Sequence, residues 1–419
     1  MTAPPAEPHS SSVWREAEVP AARLRVMVAA VGWAGHAYPA LALARELRAR
    51  DHEVLVESAE RWRDAAEGLG AGFAVAEERV EFPGLPHQGP SGPTLAEAAR
   101  SLLSTMREFR PDVVVSDLFT VAPALAAELH GVPRATLIPH PYPVQEPGLP
   151  FFFLGLLPPR TPIGAGGWRA IRPMQGVLQP RLRRVRAALN ATRAELGLPA
   201  IAGFHGPISD QLTMVATFPQ LEYPRRWPAH VHVTGPMLFE LPHPEVELPG
   251  GQDPLVLVAA STERDQGLTL IRVALEGLQG EPVRVVATMN RKGQSWAGPL
   301  PGNAVVVDWI SYQQVMPHAS LVICRGGHGT VARALADAAP VLVCPDLGDM
   351  AENGARVAWS GAGSMLPRQL LGPGPLRWAV RRLLADAAPA ARAREIAAWH
   401  GQNSGPSRAA TLVEGYAAR

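Results

Sequence analysis

The sequence predicts an α/β protein with two doubly wound domains of similar size. Three observations carry this. Strand-length apolar runs alternate with segments of helical period, and the alternation occurs twice along the chain. The runs are continuous Val, Ile and Leu rather than alternating, which suits parallel strands covered on both faces. At 419 residues the chain is also too long for one ordinary core.

The first domain opens on the apolar run LRVMVAAV (24–31), read as a buried strand. A glycine turn leads to YPALALARELRAR (38–50), where Leu41, Leu43, Ala44 and Leu47 fall near helical spacing. HEVLVES (52–58) is the next strand, and PDVVVSD (111–117), VAPALAAELHG (121–131) and RATLIP (134–139) repeat strand, helix, strand. Residues 82–95 and 140–175 read as long loops, and LQPRLRRVRAALNATRAEL (178–196) as a basic helix. Strands resume at PLVLVAAS (254–261), VRVVAT (283–288), NAVVVDW (303–309), SLVIC (320–324) and PVLVCP (340–345). The expected organisation is a flexible tail (1–22), a first domain (23–240), a Pro- and Gly-dense linker (241–253) and a second domain (254–399). The C-terminal helix (400–419) is expected to rejoin the first domain.

Apolar residues make up 47% and charged residues 18%, so a sizeable core is available. A net charge of +1 without a long basic run argues against a nucleic-acid partner. Cys324 and Cys344 lie inside apolar runs and read as reduced core thiols; two cysteines make no zinc site. The polar, proline-rich start lacks a signal core, and FFFLGLLP (151–158) falls far short of the ~20 residues that span a bilayer. The expectation is a cytoplasmic protein without integral membrane contact.

Function is concentrated at strand ends. CRGGHGT (324–330) follows one strand and opens a helix. Gly326, Gly327 and Gly329 let the backbone approach an anion, and a helix N-terminus offers unpaired N–H groups. Trp309 ends the strand NAVVVDW, where an indole can stack on a nucleobase, and Asp349 and Asn353 follow PVLVCP, where a carboxylate can accept from sugar hydroxyls. Taken singly, each has a plain structural reading as turn, core residue or helix cap. Taken together, they describe a nucleotide-diphosphate-sugar site.

In this order and spacing the chain resembles the GT-B glycosyltransferases of family 1, of the bacterial natural-product type. The likeness rests on Trp309, RGGHGT sixteen residues later, AAP (338–340) and PDLGDMAENGA (345–355), and it extends over nearly the whole chain from residue 24. It implies two Rossmann-like domains facing each other across a cleft. It implies a donor site of Ser261, Thr262, Trp309, Ile310, Arg325, Gly326, Gly327, His328, Gly329, Thr330, Asp349, Met350 and Asn353. Three departures stand out: Arg325 replaces the family's phosphate-contacting histidine, Arg333 an acidic ribose ligand, and Met350 a sugar-binding glutamine. Losing those acceptors suits a dTDP-deoxysugar better than UDP-glucose. His328 fills a variable place, touching phosphate or only packing.

In the first half, HxxP (His36 to Pro39) matches the family's base motif, and Asp117 in VSDLF its base-orienting aspartate. His36, read as lying in a strand-to-helix loop, would take a proton from an acceptor hydroxyl; Asp117 would hold its tautomer. The chemistry implied is inverting displacement with no metal and no cofactor beyond the NDP-sugar. The acceptor is expected to be a hydrophobic small molecule held by Trp33, Phe82, Phe119, Phe151 and Phe152. PRLRRVRAAL (180–189) reads as a solvated helix face, with a weak membrane contact or an anionic acceptor as the alternative. A homodimer is left open. Two other functions stay open: a nucleotide-sugar epimerase, which the HxxP base argues against, and a non-catalytic nucleotide-binding homologue, which Arg325 favours.

Overall fold

A computed structural model describes residues 23–77, 92–203, 205–243, 245–260, 268–346 and 348–419. Among these, seven parallel strands form the first sheet: β1 (Arg25–Ala29), β2 (Glu53–Ser58), β3 (Gly72–Val75), β4 (Val113–Asp117), β5 (Arg134–Ile138), β6 (Thr213–Val215) and β7 (Val231–Val233). Their order is β3-β2-β1-β4-β5-β6-β7. Adjacent residues of β1 serve different cores. Val26 and Val28 pack with Leu41, Leu47, Val54 and Val115, whereas Met27 packs with Met106, Val114 and Ala126. That two-sided burial is why the strand sequences do not alternate.

The second sheet holds β8 (Leu255–Ala259), β9 (Arg284–Thr288), β10 (Ala304–Val307), β11 (Leu321–Cys324), β12 (Val341–Val343) and β13 (Gly363–Met365), ordered β10-β9-β8-β11-β12-β13 and all parallel. Val256 and Val258 face one core with Ile271, Leu275 and Val285; Leu255 and Leu257 face the other with Val331, Leu335 and Val357. Each large side chain so buried contributes about 1.5–3 kcal/mol relative to exposure. Both cysteines are free and buried, and burial pushes each thiol up to about 12.

Eight helices position the site. They are α1 (Ala34–Ala49), α2 (Leu95–Phe109), α3 (Val121–His130), α4 (Pro162–Ile171), α5 (Pro180–Glu195), α6 (His328–Ala336), α7 (Asp349–Ser360) and α8 (Gly405–Ala417). Helix α8 packs on the first lobe: Ala409, Ala410 and Val413 join the α1-side core, and Glu414 bonds Arg50 at 2.9 Å and His52 at 2.8 Å.

Two readings of the sequence need correction. The stretch 140–175 is not all loop, because α4 forms within it, with Pro162 in its first turn and Thr161 accepting from Gly164 N at 3.2 Å. His36 is not in a loop either. The helix begins at Ala34, directly after the extended cap Trp33, so His36 lies in its first turn.

Candidate active site

Strands β1 and β4 are neighbours, with Ala29 opposite Ser116, so the segments leaving their C-terminal ends meet. His36 in α1 and Asp117 at the end of β4 are thereby brought together: Nδ1 lies 3.0 Å from Asp117 Oδ1. The carboxylate is fully buried, and Val31 N (2.8 Å), Phe119 N (2.7 Å) and the Thr120 hydroxyl also donate to it. Burial opposes its charge, but the His36 partnership and these bonds hold the carboxyl below its ordinary value. A carboxylate only accepts, so the His36 proton belongs on Nδ1 and the lone pair on Nε2. Trp33 and Phe119 frame the imidazole, with ring centroids 5.8 and 5.0 Å from it.

Across the cleft, β11 ends at Cys324 and α6 starts at His328. Gly326 has φ +90°, and a Cβ there would stand 2.7 Å from Met350 O and from Val343 Cγ1, so only glycine fits. Asn353, in α7, donates to Gly326 O at 2.8 Å and clamps the turn. Gly329 is exposed and Gly327 and Thr330 half-buried, so backbone amides at the start of α6 are within reach of an anion.

A cavity of about 230 Å³ joins the two halves. Ala34, Gly35, Tyr38 and Pro39 line it from the first lobe; Trp309, Ile310, Arg325, Gly327 to Thr330, and Met350 line it from the second. The Trp309 indole donates to His243 Nε2 at 3.0 Å and lies 5.3 Å from Lys292 Nζ. Asp349 opens α7 half-buried.

Several expected residues have other work. His328 does not present its ring to a ligand: it is 8% exposed, with Nδ1 at 3.3 Å from Asn353 Oδ1 and Nε2 at 3.2 Å from Ala216 O of the first lobe. Burial pushes its pKa down to about 3, so the ring is neutral and only its backbone N–H remains for an anion. The Asn353 side chain serves the turn and His328. Arg325 is 5% exposed, with Nη1 3.5 Å from both Cys344 O and Asp346 Oδ1, so its charge is held at the base of the turn. Phe151 packs edge-on against Trp168, whereas Phe152 stacks on His140 at 5.6 Å. Phe82, Ser261 and Thr262 lie outside the described residues.

Residues 26–136 match the glycosyltransferase family 28 N-terminal domain, and residues 274–414 match the C-terminal domain of the erythromycin biosynthesis protein CIII-like family. The chain belongs to the GT-B glycosyltransferases of the natural-product type. It is 28% identical to the 4'-demethylrebeccamycin synthase of Lentzea aerocolonigenes, over 86% of this chain and 91% of that one. It is 26% identical to the O-mycaminosyltylonolide 6-deoxyallosyltransferase of Streptomyces fradiae, over 94% and 98%. The crystal structure of the glycotransferase of kitacinnamycin superposes with a TM-score of 0.73 at 22% identity, covering 94% of this chain and 99% of that one.

In this glycosyltransferase the sequence reading missed His140. It follows β5, and Nδ1 donates to Pro141 O at 2.8 Å, which leaves Nε2 as an acceptor. Burial pushes it down to about 4, and the charges of His36, Asp349 and Asp117 all act on it, so it lies between base and donor sides. His243 and Lys292 beside Trp309 were missed as well. His140 and Lys292 follow the C-terminal ends of β5 and β9, and that position in a parallel sheet was the available signal.

Proposed function

We propose that this glycosyltransferase moves a sugar, a deoxysugar by preference, from a dTDP- or UDP-linked donor to a hydroxyl of an apolar small molecule, inverting the anomeric centre. The observation that carries the reading is the His36–Asp117 pair in the first turn of α1 and at the end of β4, beside Ala34, Gly35, Tyr38 and Pro39, which line one wall of a cavity whose other wall is the glycine turn opening α6.

The acceptor O–H gives its proton to His36 Nε2 as its oxygen attacks the anomeric carbon. The bond from that carbon to the phosphate oxygen breaks, and the diphosphate leaves with the electron pair. Amides at the start of α6 and the helix dipole oppose its charge, while Arg325 adds positive potential from below the turn. Asp117 keeps the proton on Nδ1 and stabilises the imidazolium that forms. Attack from the first lobe and departure toward the second are in line, which is why inversion follows. No step calls for a metal.

Trp309 would stack on the base, and Asp349 would accept from sugar hydroxyls. Arg333 and Met350, which replace hydroxyl-binding residues, favour a 2′-deoxyribose nucleotide and a sugar with fewer hydroxyls, and the 6-deoxyallosyl transfer named for the Streptomyces fradiae relative supports this. Trp33 and Phe119 give the acceptor side its apolar character. The test is transfer by His36→Ala, followed by mass spectrometry with dTDP- and UDP-sugars and apolar phenols and alcohols. The expected result is a rate loss of about 10²–10⁴-fold with dTDP affinity retained. A collapse of nucleotide affinity, or a clear preference for UDP-glucose, would overturn the corresponding part.

A further inference from the structure

Residues 147–194 contain eight arginines and no Lys, Asp or Glu. The whole chain carries +1, so the remainder carries −7. Arg193 is buried against Glu128 and Arg186 bonds Ala202 O, but Arg160, Arg169, Arg172, Arg181, Arg183 and Arg184 are exposed and make no ion pair among the described residues. A nearly neutral protein thus gathers unneutralised cations on one local unit.

The same unit exposes apolar side chains that nothing described covers. Ile163 is 89% exposed and Val177 68%, and Leu154, Leu157, Met174 and Leu178 are each about half exposed. Helix α4 buries none of its ten residues. A helix that short is marginal in water without tertiary packing, and apolar residues on it have no reason to face solvent. The unit is one surface: Phe151 packs on Trp168, and Gln179 Nε2 bonds Phe152 O at 3.2 Å. It continues inward through Phe152 and His140 to the base.

We propose that this face, residues 154–184, docks on an anionic lipid bilayer. Its composition fits the interface: apolar side chains enter between headgroups while long arginine side chains keep their charge at the phosphate level. Glycines 155, 164, 166 and 167 and prolines 158, 159, 162, 173 and 180 run through it. A bilayer demands no fixed shape, whereas a specific protein interface demands a packed, complementary core. Docking here turns the acceptor side of the cleft toward the phase in which an apolar acceptor accumulates.

The test is co-sedimentation of the full chain with vesicles of equal parts phosphatidylcholine and phosphatidylglycerol, against vesicles of phosphatidylcholine alone. No sugar substrate is present, so the outcome is independent of the donor and acceptor reading. Binding is expected to the anionic vesicles only and to weaken with salt. R181Q, R183Q and R184Q together should lower partitioning by about a hundredfold, at about fivefold per arginine. Ile163→Ser with Val177→Ser should lower it by about tenfold. Circular dichroism and dTDP binding should stay unchanged in both variants. Equal binding to both vesicle types, no binding to either, or arginine variants that bind as the parent does would overturn the proposal. So would a serine pair that dissociates a dimer in sedimentation velocity without changing vesicle binding.

Discussion

Replacing Asp117 by Asn changes one atom and tests the core of the mechanism. Oδ1 accepts from His36 Nδ1 at 3.0 Å and from Phe119 N at 2.7 Å; Oδ2 accepts from Val31 N at 2.8 Å and from the Thr120 hydroxyl. An asparagine must aim its NH₂ at one of these pairs. Aimed at Val31 and Thr120, it opposes a backbone N–H that cannot turn, at a cost of about 1–3 kcal/mol. Aimed at His36, it drives the imidazole proton from Nδ1 to Nε2. The lone pair that receives the acceptor proton is then lost, and Phe119 N–H is still opposed. The expected result is a stability loss of about 1–3 kcal/mol by urea denaturation. Single-turnover transfer should fall by about 10²–10⁴-fold, as in other His–carboxylate pairs forced into the wrong tautomer. Nucleotide affinity should not change, since none of these partners belongs to the second lobe. If Asp117→Asn loses the stability but keeps transfer within about tenfold of the parent, Nε2 of His36 is not the proton acceptor.

Gly326→Ala should cost about 1–3 kcal/mol in stability and weaken dTDP binding at least about tenfold by calorimetry, because φ +90° and the 2.7 Å approach to Met350 O both exclude a Cβ. Unchanged affinity would remove the turn from the donor site. Stability should also depend on acid. Burial holds His140 and His205 at about 4 and His328 at about 3, against an ordinary 6.5. The unfolded chain therefore binds protons first, and stability falls as pH drops from 6.5 toward 3, by up to about 1.4 kcal/mol per pH unit for each imidazole. Glu57, pushed up to about 8 by burial and by Asp117, works in the other sense, losing stability as pH rises from 4.5 to 8. Urea midpoints of Glu57→Gln should therefore rise with pH between 4.5 and 6.5 more steeply than those of the parent; a flat profile below pH 6.5 would refute the burial of neutral histidines.

The long central strands were legible because two-sided burial writes itself as uninterrupted Val, Ile and Leu. Strands β6, β7 and β13 have three residues each, too few for any period, and their pairing comes from neighbours distant in the chain. The strand–turn–helix order around CRGGHGT was legible because so tight a turn needs glycine, and Gly326, with φ +90° and no room for a Cβ, meets that need. His328 stayed open between phosphate contact and packing, since the sequence does not say whether its ring faces the cavity or a carbonyl of the other lobe; it faces the carbonyl of Ala216. FFFLGLL was expected to set Phe151 and Phe152 against the acceptor. Its phenylalanines at 151 and 152 instead turn inward, and its leucines at 154, 156 and 157 outward, because the Gly155 backbone lies against Ala351 of α7.

That last contact points to what aligns the base with the donor site. Asp349, Glu352, Asn353 and Arg356 recur at helical spacing along one side of α7. Glu352 and Arg356 stand four residues apart on that side. In the fold both are buried, and Arg356 bonds Glu352 at 3.0 Å and Glu222 of the first lobe at 2.9 Å. Glu222 in turn accepts from Tyr142 N at 2.6 Å, beside His140. A buried ion cluster of this kind is weak evidence for stability, since desolvation offsets much of its attraction. Its geometry is demanding, though, and an error in lobe alignment leaves a buried charge unpaired. Helix α7 therefore carries Asp349, the Asn353 clamp on the glycine turn and the grip on the lobe that holds His36. On the proposed donor reading, a sugar held at Asp349 would bear on the same helix as the cross-lobe grip, which would couple donor binding to the approach of His36.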